Sequence, residues 1–219
     1  MRSDATSGAD LLKRKNRKIF SYGLQSSFVF EPFLELNEWL KGYCLKNRIQ
    51  LVDAYPALAD HEGLLDGRYD SGDGVHLNGE GYMAFGRFVA SEVSDLLQPG
   101  TVVACLGDSL TEGYPGHFVG EEEGAQWMPY PFYLEREGVT ILNFGRSGDT
   151  TFELIRRFHS QVRVHEPAPD ICIVHGGAND LFCDIPIDRV EGNLIDIYKC
   201  CRRHKMTPIA ATLLPVMIR

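Results

Sequence analysis

The segment VVACLGDSL, residues Val102–Leu110, indicates the fold of this chain more clearly than any other stretch. Its first five residues are apolar and begin with two valines, which is typical of a buried strand in a parallel sheet. The Gly107-Asp108-Ser109 sequence then ends the run, so a turn is predicted at the carboxyl end of the strand. A serine on such a strand-to-helix turn is expected to present its hydroxyl above the sheet.

Four further apolar runs are predicted as strands, and apolar residues at helical spacing lie between them. The predicted strands are Ile49–Ala54, Val139–Phe144, Ile171–His175 and Pro208–Leu214, and the predicted helices are Pro32–Asn47, Tyr130–Glu137, Thr151–His165 and Asp188–His204. This alternation predicts a three-layer α/β/α sandwich around a five-stranded parallel, flavodoxin-like sheet. Ligands of such folds bind at the carboxyl ends of the strands.

Length and charge restrict the classes of partner. The 219 residues, 44% of them hydrophobic, suit one domain, predicted over 19–219, after a polar and then basic tail over 1–18. A net charge of −8 disfavours nucleic acid. No apolar stretch is long enough to span a membrane and no apolar segment follows the basic start, so no stable membrane insertion and a cytoplasmic location are expected.

The six cysteines form no CxxC pair and show no metal-ligand spacing, so they are interpreted as structural thiols and no metal site is predicted. The composition does not indicate an oligomeric state.

Polar and glycine-rich segments follow the predicted strands. After Ser109 come the turns Asn143–Thr150 and Gly176–Asp180, and Asp73-Gly74-Val75-His76 precedes the predicted helix start Leu77–Tyr82. Glycines at such turns let backbone donors approach a ligand closely.

A serine hydroxyl is a poor nucleophile at neutral pH, and it needs a base within hydrogen-bond reach and a third group that orients the base. Ser109, His76 and Asp73 are of the types that fill these three roles, which predicts a catalytic triad. Taken alone, Ser109 is better explained as the N-cap of a helix, and a lone DxxH pair is more often part of the solvated surface.

The four motif blocks GDSL, the glycine turn, GxND and DxxH resemble those of the SGNH hydrolase family of GDSL lipases and esterases, over roughly residues 28–216. The resemblance implies a serine ester hydrolase (esterase, lipase or acylhydrolase) that cleaves small-molecule esters, short-chain acyl or acetyl esters above all. It implies no cofactor. It also implies an oxyanion hole made by the Ser109 and Gly148 backbone N–H groups and the Asn179 side-chain amide.

The order of the blocks departs from the family, because DxxH ordinarily closes the chain and here precedes GDSL. Circular permutation restores the order: residues 19–97 then correspond to the usual C-terminal half and residues 98–219 to the N-terminal half, joined at Leu97–Gly100. The strand Ile49–Ala54 is then predicted at an edge of the sheet, beside Pro208–Leu214. The rival interpretation is two tandem modules or a swapped dimer, in which the halves complete different sites.

Three residues near these blocks are candidates for a substrate pocket, namely Tyr114, Trp127 and His175. Packing of the aromatic residues over the sheet is an equal alternative. A different class of function is a binding module without hydrolysis, either an SGNH-like protein or a flavodoxin-like one whose glycine turn with Ser147 and Thr150 cradles a phosphate. The sequence has no phosphate-binding GxxxxGK[ST] loop, which disfavours the phosphate-binding version.

Overall fold

Five parallel strands form the central sheet in the computed structural model, which describes residues 31–115 and 127–217. The strands are β1 (Gln50–Val52), β2 (Val102–Gly107), β3 (Thr140–Gly145), β4 (Ile171–His175) and β5 (Thr207–Ala211). Each pair of neighbours runs parallel. The predicted parallel sheet is therefore confirmed, whereas the predicted tail over 1–18 lies outside the described residues.

Helices cover both faces of this sheet. They are α1 (Glu31–Asn47), α2 (Tyr55–Leu58), α3 (Gly79–Glu92), α4 (Ser109–Glu112), α5 (Thr151–Arg157), α6 (Ala178–Phe182) and α7 (Ile187–Arg203), with 3-10 turns at Ser94–Leu96 and Tyr130–Leu134 and a π turn at Phe158–Val162. The start of α3 is defined by Asn78, whose side chain accepts a 2.9 Å hydrogen bond from the Gly81 N–H.

Alternating side chains of β2 enter two separate cores, which makes the molecule a three-layer α/β/α sandwich. Val103 and Cys105 pack into a core shared with α3 and the Tyr130–Leu134 turn. Ala104 and Leu106 pack into a core shared with α1, α5 and α7. A strand that is buried on both faces must be apolar throughout, and this explains the uninterrupted hydrophobic run.

The strand order is β1-β5-β4-β2-β3. β1 is therefore an edge strand, and its one partner in the sheet is β5, with Gln50 opposite Ile209 and Val52 opposite Ala211. The pairing predicted between the first and last strands is confirmed. The carboxyl ends of β2, β3 and β4 lie side by side, so the polar loops that follow them meet at one edge of the sheet.

The last strand is shorter than predicted. It ends at Ala211 because the backbone of Leu213 bonds to a side chain instead of a neighbouring strand: Asn37 accepts from the Leu213 N–H at 2.8 Å and donates to its carbonyl at 3.0 Å. β1 is likewise limited to Gln50–Val52, since Ala54 already caps the short helix α2.

Two predicted helices also differ from the structure. The segment predicted over Tyr130–Glu137 forms a 3-10 turn as far as Leu134, because prolines at 129 and 131 restrict its start and a glycine at 138 follows. The helix predicted over Thr151–His165 is regular only to Arg157. The Arg163 N–H bonds to the Phe158 carbonyl at 3.0 Å, which is the wider repeat of a π turn.

Candidate active site

Ser109 is the first residue of α4, directly after the turn that ends β2. The Asp108 side chain caps this helix by accepting a 3.0 Å hydrogen bond from the Leu110 N–H. Gly107 is required at the turn, since a Cβ there would lie 2.0 Å from the Thr111 hydroxyl oxygen and 2.5 Å from the His175 carbonyl oxygen. The turn therefore holds Ser109 above the end of the strand.

The loop before α3 brings a base and a carboxylate to this serine. His76 Nε2 lies 3.1 Å from Ser109 Oγ, and His76 Nδ1 lies 2.6 Å from Asp73 Oδ2. The other carboxylate oxygen of Asp73 accepts from the backbone N–H groups of Val75 and His76, at 2.9 and 2.8 Å. The three predicted triad residues are therefore in continuous hydrogen-bond contact.

The charge state of Asp73 follows from these contacts. Partial burial by itself would raise the pKa of this carboxyl, but the hydrogen bonds and charge of His76 hold the pKa well below its ordinary value. Asp73 is consequently ionised throughout the neutral range, in the form that accepts a hydrogen bond from the Nδ1–H of the imidazole.

The loop of Asp73 and His76 is itself held from two sides. Asp70 accepts from the Gly72 and Gly74 N–H groups at 2.9 and 2.8 Å. Gly74 has a φ of +77°, and its carbonyl accepts a 2.7 Å bond from the Met217 N–H. The segment that follows β5 thus holds the loop in place through Met217.

The predicted oxyanion-hole residues lie on the loops after β3 and β4. Gly148 has a φ of +83°, a left-handed conformation that favours glycine. Asn179 lies in α6, and its amide nitrogen donates a 2.8 Å hydrogen bond to the carbonyl of Asp149, the residue after Gly148. The side-chain amide of Asn179 has two hydrogens, so one remains to be donated to a ligand.

Asp180 joins the same two loops. It accepts from the Thr151 N–H at 2.8 Å and from the Thr151 hydroxyl at 2.6 Å, both buried. Asp180 therefore holds a loop through a partner that is 29 residues away in the chain. The glycine turn is thereby tied to the start of α6.

Sequence reasoning missed two charged residues that bind these loops. Arg157, buried at the end of α5, pairs with Asp149 and donates to the carbonyls of Gly107 and Phe144. Glu112, at the end of α4, accepts hydrogen bonds from the backbone N–H and the hydroxyl of Ser147. Neither residue belongs to a motif block, and an arginine in the last turn of a helix is ordinarily a surface residue.

Of the three candidate pocket residues, Tyr114 lies next to the site. Its ring meets the His76 imidazole edge to face, with ring centroids 4.7 Å apart, and it is 38% exposed. Trp127 lies instead against Gly79 at the start of α3. It lines an open groove of about 450 Å³ together with Arg68, Asn78, Gly79, Glu80, Met83 and Tyr133.

His175 does not line a cleft in this structure, which corrects the expectation drawn from its place at the end of a strand. It has no exposed surface, and its ring packs 5.5 Å from that of Phe85 in the core under α3. Burial lowers the pKa of His175 to about 4, so its imidazole is neutral at neutral pH. His175 is the last residue of β4, and all five residues of that strand are buried. Its side chain therefore packs in the core instead of lining a cleft.

Across residues 31–115 and 127–217, no group of three or more His, Cys, Asp or Glu side chains has an arrangement that holds a metal ion. Five cysteines of that part of the chain are buried free thiols, namely Cys44, Cys105, Cys172, Cys200 and Cys201. Among the helices described, none combines the length and the apolar character that a membrane crossing requires.

Comparison with known proteins gives partial matches. A protein of Bacillus subtilis strain 168 named as uncharacterized lipoprotein YqeF is 28% identical over 121 residues, which are 52% of this chain and 49% of that protein. The crystal structure of AlinE4, an SGNH-hydrolase family esterase, is similar at 31% identity and a TM-score of 0.43, over 52% of this chain and 59% of that chain.

A psychrotrophic esterase, EstA from Pseudoalteromonas sp., is similar at 22% identity and a TM-score of 0.41, over 50% of this chain and 58% of that chain. Compared with the Bacillus subtilis protein, the chain spans about half of that relative's length. The model of the GDSL-like Lipase/Acylhydrolase family matches residues 105–219, from the end of β2 onward. Since that match covers more than half of the 219 residues, this protein belongs to the GDSL-like lipase/acylhydrolase family, the SGNH hydrolases.

Proposed function

We propose that the protein hydrolyses carboxylic esters through an acyl-enzyme intermediate, with Ser109 as nucleophile, His76 as general base and Asp73 as the orienting carboxylate. One observation carries the proposal, namely the continuous contact from Asp73 Oδ2 through both imidazole nitrogens to Ser109 Oγ, at 2.6 and 3.1 Å. The 3.1 Å distance lies within the range required for proton transfer between a nucleophile and its base, and the 2.6 Å hydrogen bond is short enough for Asp73 to orient the imidazole.

In the first half of the reaction, Ser109 Oγ attacks the acyl carbon while its proton passes to His76 Nε2. The tetrahedral intermediate collapses, the bond to the alcohol oxygen breaks, and His76 returns the proton to that oxygen. In the second half, a water molecule loses a proton to His76 and attacks the acyl carbon, and Ser109 Oγ leaves with the proton. Asp73 stays ionised and stabilises the imidazolium in both halves.

The negative oxygen of each tetrahedral intermediate requires donors that are already in place. We assign this role to the backbone N–H groups of Ser109 and Gly148 and to the Asn179 amide. The positive φ of Gly148 and the bond from Asn179 to the Asp149 carbonyl support the assignment, because both keep the two loops close together. Loss of one such donor typically lowers the rate by about 10²–10³.

The domain organisation we propose is one permuted domain over 19–219, with residues 19–97 equivalent to the family's C-terminal half. The sheet order supports it: numbered cyclically from β2, the order β1-β5-β4-β2-β3 becomes 5-4-3-1-2, which is the flavodoxin-like order read from the other edge. The joint at Leu97–Gly100 contains a tight turn, closed by a 3.0 Å hydrogen bond from the Thr101 N–H to the Gln98 carbonyl.

A site within a single chain is favoured over a swapped arrangement. Two contacts across the proposed halves support this, from the Tyr55 N–H to the Thr212 hydroxyl at 3.2 Å and from the Met217 N–H to the Gly74 carbonyl at 2.7 Å. Both halves then contribute to one triad.

The substrate class we propose is small, uncharged esters with short acyl groups. The net charge of −8 supports neutral substrates over polyanions such as nucleic acid. The cytoplasmic location remains a prediction, since the similar Bacillus subtilis protein is named as a lipoprotein.

The test is a panel of acetyl, butyryl, octanoyl and thioester substrates, each measured with the unchanged protein and with Ser109→Ala. We expect hydrolysis of the short esters, and a loss of turnover to background in Ser109→Ala. Ser91→Ala is the matched control, because Ser91 is an exposed serine of α3 whose hydroxyl donates a hydrogen bond to the Phe88 carbonyl of the same helix. Undiminished turnover in Ser109→Ala contradicts the proposal, and ligand binding without any turnover identifies the non-catalytic alternative.

A further inference from the structure

We infer that Arg157 is the positioning residue of the oxyanion hole, which it assembles by tying together the ends of β2 and β3 and the glycine turn. The inference rests on the proposed function and goes beyond its motif residues. Arg157 does not reach substrate in this assignment. It acts through the backbone segments that carry the proposed donors.

One guanidinium makes three hydrogen bonds, two to backbone carbonyls and one to a carboxylate. Arg157 Nη2 donates to the Gly107 carbonyl at 2.8 Å, Nη1 donates to the Phe144 carbonyl at 2.6 Å, and Nε donates to Asp149 Oδ2 at 2.5 Å. The planar fork of arginine is suited to such simultaneous bonding. The side chains of Arg157 and Asp149 are only 8% and 7% exposed, so water does not compete for these bonds.

Two of the three acceptors are close in sequence to a proposed oxyanion donor. Gly107 is two residues before Ser109, and Asp149 directly follows Gly148. Asp149 also links the third donor, because its backbone carbonyl accepts the amide of Asn179 at 2.8 Å. Each proposed donor is therefore separated from a residue that bonds to Arg157 by at most two peptide units or one further hydrogen bond.

A purely structural ion pair is the alternative role. Buried ion pairs contribute little net stability, because removing both charges from water offsets their attraction. Two apolar residues would fill the same space, but they would leave the Gly107 and Phe144 carbonyls without these donors. What Arg157 supplies beyond packing is the mutual position of three backbone segments, and an oxyanion hole depends on that position to within a fraction of an ångström.

Arg157→Lys tests this role, since an ammonium keeps the charge but lacks the planar fork. Oxyanion donors act on the transition state more than on the bound ester, so their displacement lowers kcat and spares KM. We expect kcat per active site, titrated with a fluorophosphonate, to fall at least tenfold with KM changed less than about twofold. Arg156→Lys is the control, because Arg156 is the exposed neighbour in the same helix, and its kcat should match the unchanged protein.

Thermal unfolding of each variant shows whether it is folded at the assay temperature. If Arg157→Lys is unfolded, Asp149→Asn is measured in its place. This variant keeps the size of the side chain in the turn and weakens the contact with Arg157. The same loss of kcat with little change in KM is then expected. A kcat for the folded variant within twofold of Arg156→Lys overturns the inference, and so does a rise in KM that accounts for the whole loss. Absence of Ser109-dependent hydrolysis in the unchanged protein instead overturns the proposed function itself.

Discussion

The hydroxyl of Tyr82 donates a 2.6 Å hydrogen bond to the backbone carbonyl of Tyr114. Tyr82 is wholly buried in α3, and the ring of Tyr114 rests against the His76 imidazole. A residue of the core thus holds the aromatic neighbour of the proposed base, and this relationship can be tested without altering any residue of the triad.

Tyr82→Phe should lower both stability and activity. Loss of one buried hydrogen bond is expected to cost about 1 kcal/mol of unfolding free energy, and a displaced Tyr114 should lower kcat several-fold. Tyr55→Phe is the matched control, since the Tyr55 hydroxyl bonds to the Gly63 carbonyl, also at 2.6 Å, outside the triad loop. Denaturant unfolding and steady-state kinetics should show similar stability losses but a kcat effect in Tyr82→Phe alone; equal kcat effects would remove the proposed link.

Asp73→Asn should leave the fold intact and lower kcat by about 10²–10⁴, because an amide does not stabilise the imidazolium and favours the wrong tautomer of His76. The change is best measured as kcat at saturating ester, with Ser109→Ala as the blank. An Asp73→Asn variant as active as the unchanged protein would mean that His76 is oriented by other groups.

Gly74→Ala should destabilise the loop of Asp73 and His76 more than Gly72→Ala does. Both glycines have positive φ, +77° and +108°, so each substitution carries backbone strain of roughly 1–2 kcal/mol. A Cβ on Gly74 would lie 2.1 Å from the Met217 carbonyl oxygen, whereas a Cβ on Gly72 meets open space. We expect a larger loss of unfolding free energy and of kcat for Gly74→Ala, and equal losses would show that the Met217 contact does not support the loop.

Asp108→Asn should change how stability depends on pH. Burial raises the pKa of Asp108 to about 6, and one carboxylate oxygen has no hydrogen-bond partner among the described residues. A carboxyl with a raised pKa in the folded state favours folding while it is protonated, so its contribution is lost as pH rises from about 4 to about 6. The loss is on the order of 3 kcal/mol.

Unfolding free energies at pH 4.5 and 7.5 measure this contribution. The Asp108→Asn protein should lose less stability over that interval than the unchanged protein, while Asp95→Asn, at an exposed carboxyl, serves as the control. An identical pH dependence in all three proteins would mean that ionisation of Asp108 does not lower the unfolding free energy.

Trp127→Ala tests whether the groove beside α3 selects the acyl group. If Trp127 contacts the acyl chain, the ratio of octanoyl to acetyl ester turnover should fall at least several-fold, since burial of apolar surface favours the longer chain. Phe132→Ala is a suitable comparison, because Phe132 is a partly exposed aromatic residue of the neighbouring turn. An unchanged profile would assign Trp127 to packing against Gly79.

Local patterns are sufficient to predict the sheet and the contact between Asp73 and His76. Apolar runs such as the one ending at Leu106 are continuous because both faces of β2 are buried, and Asp73 and His76 are close enough in sequence for one loop to pair them. The edge position of β1 could be predicted as well, because reading the motif blocks in cyclic order makes β1 the neighbour of β5.

Other features depend on contacts between distant residues, and local patterns do not carry them. Arg157 bonds to Gly107 across 50 residues, and nothing in the helical pattern of α5 distinguishes it from the exposed Arg156. His175 was misassigned because a position at the end of a strand does not reveal toward which layer the side chain points. The early end of β5 likewise results from Asn37, a residue 176 positions earlier in the chain.

The pairing of β1 with β5 has a consequence during protein synthesis. Tyr55 and Thr212, which hydrogen-bond beside that pairing, are 157 residues apart, so the segment that carries Asp73 and His76 leaves the ribosome long before β5 is translated. The unpaired edge of the nascent β1 is meanwhile open to other extended chains. Among the strands described, β1 is therefore translated first and is paired only after β5, the last of them, has been made.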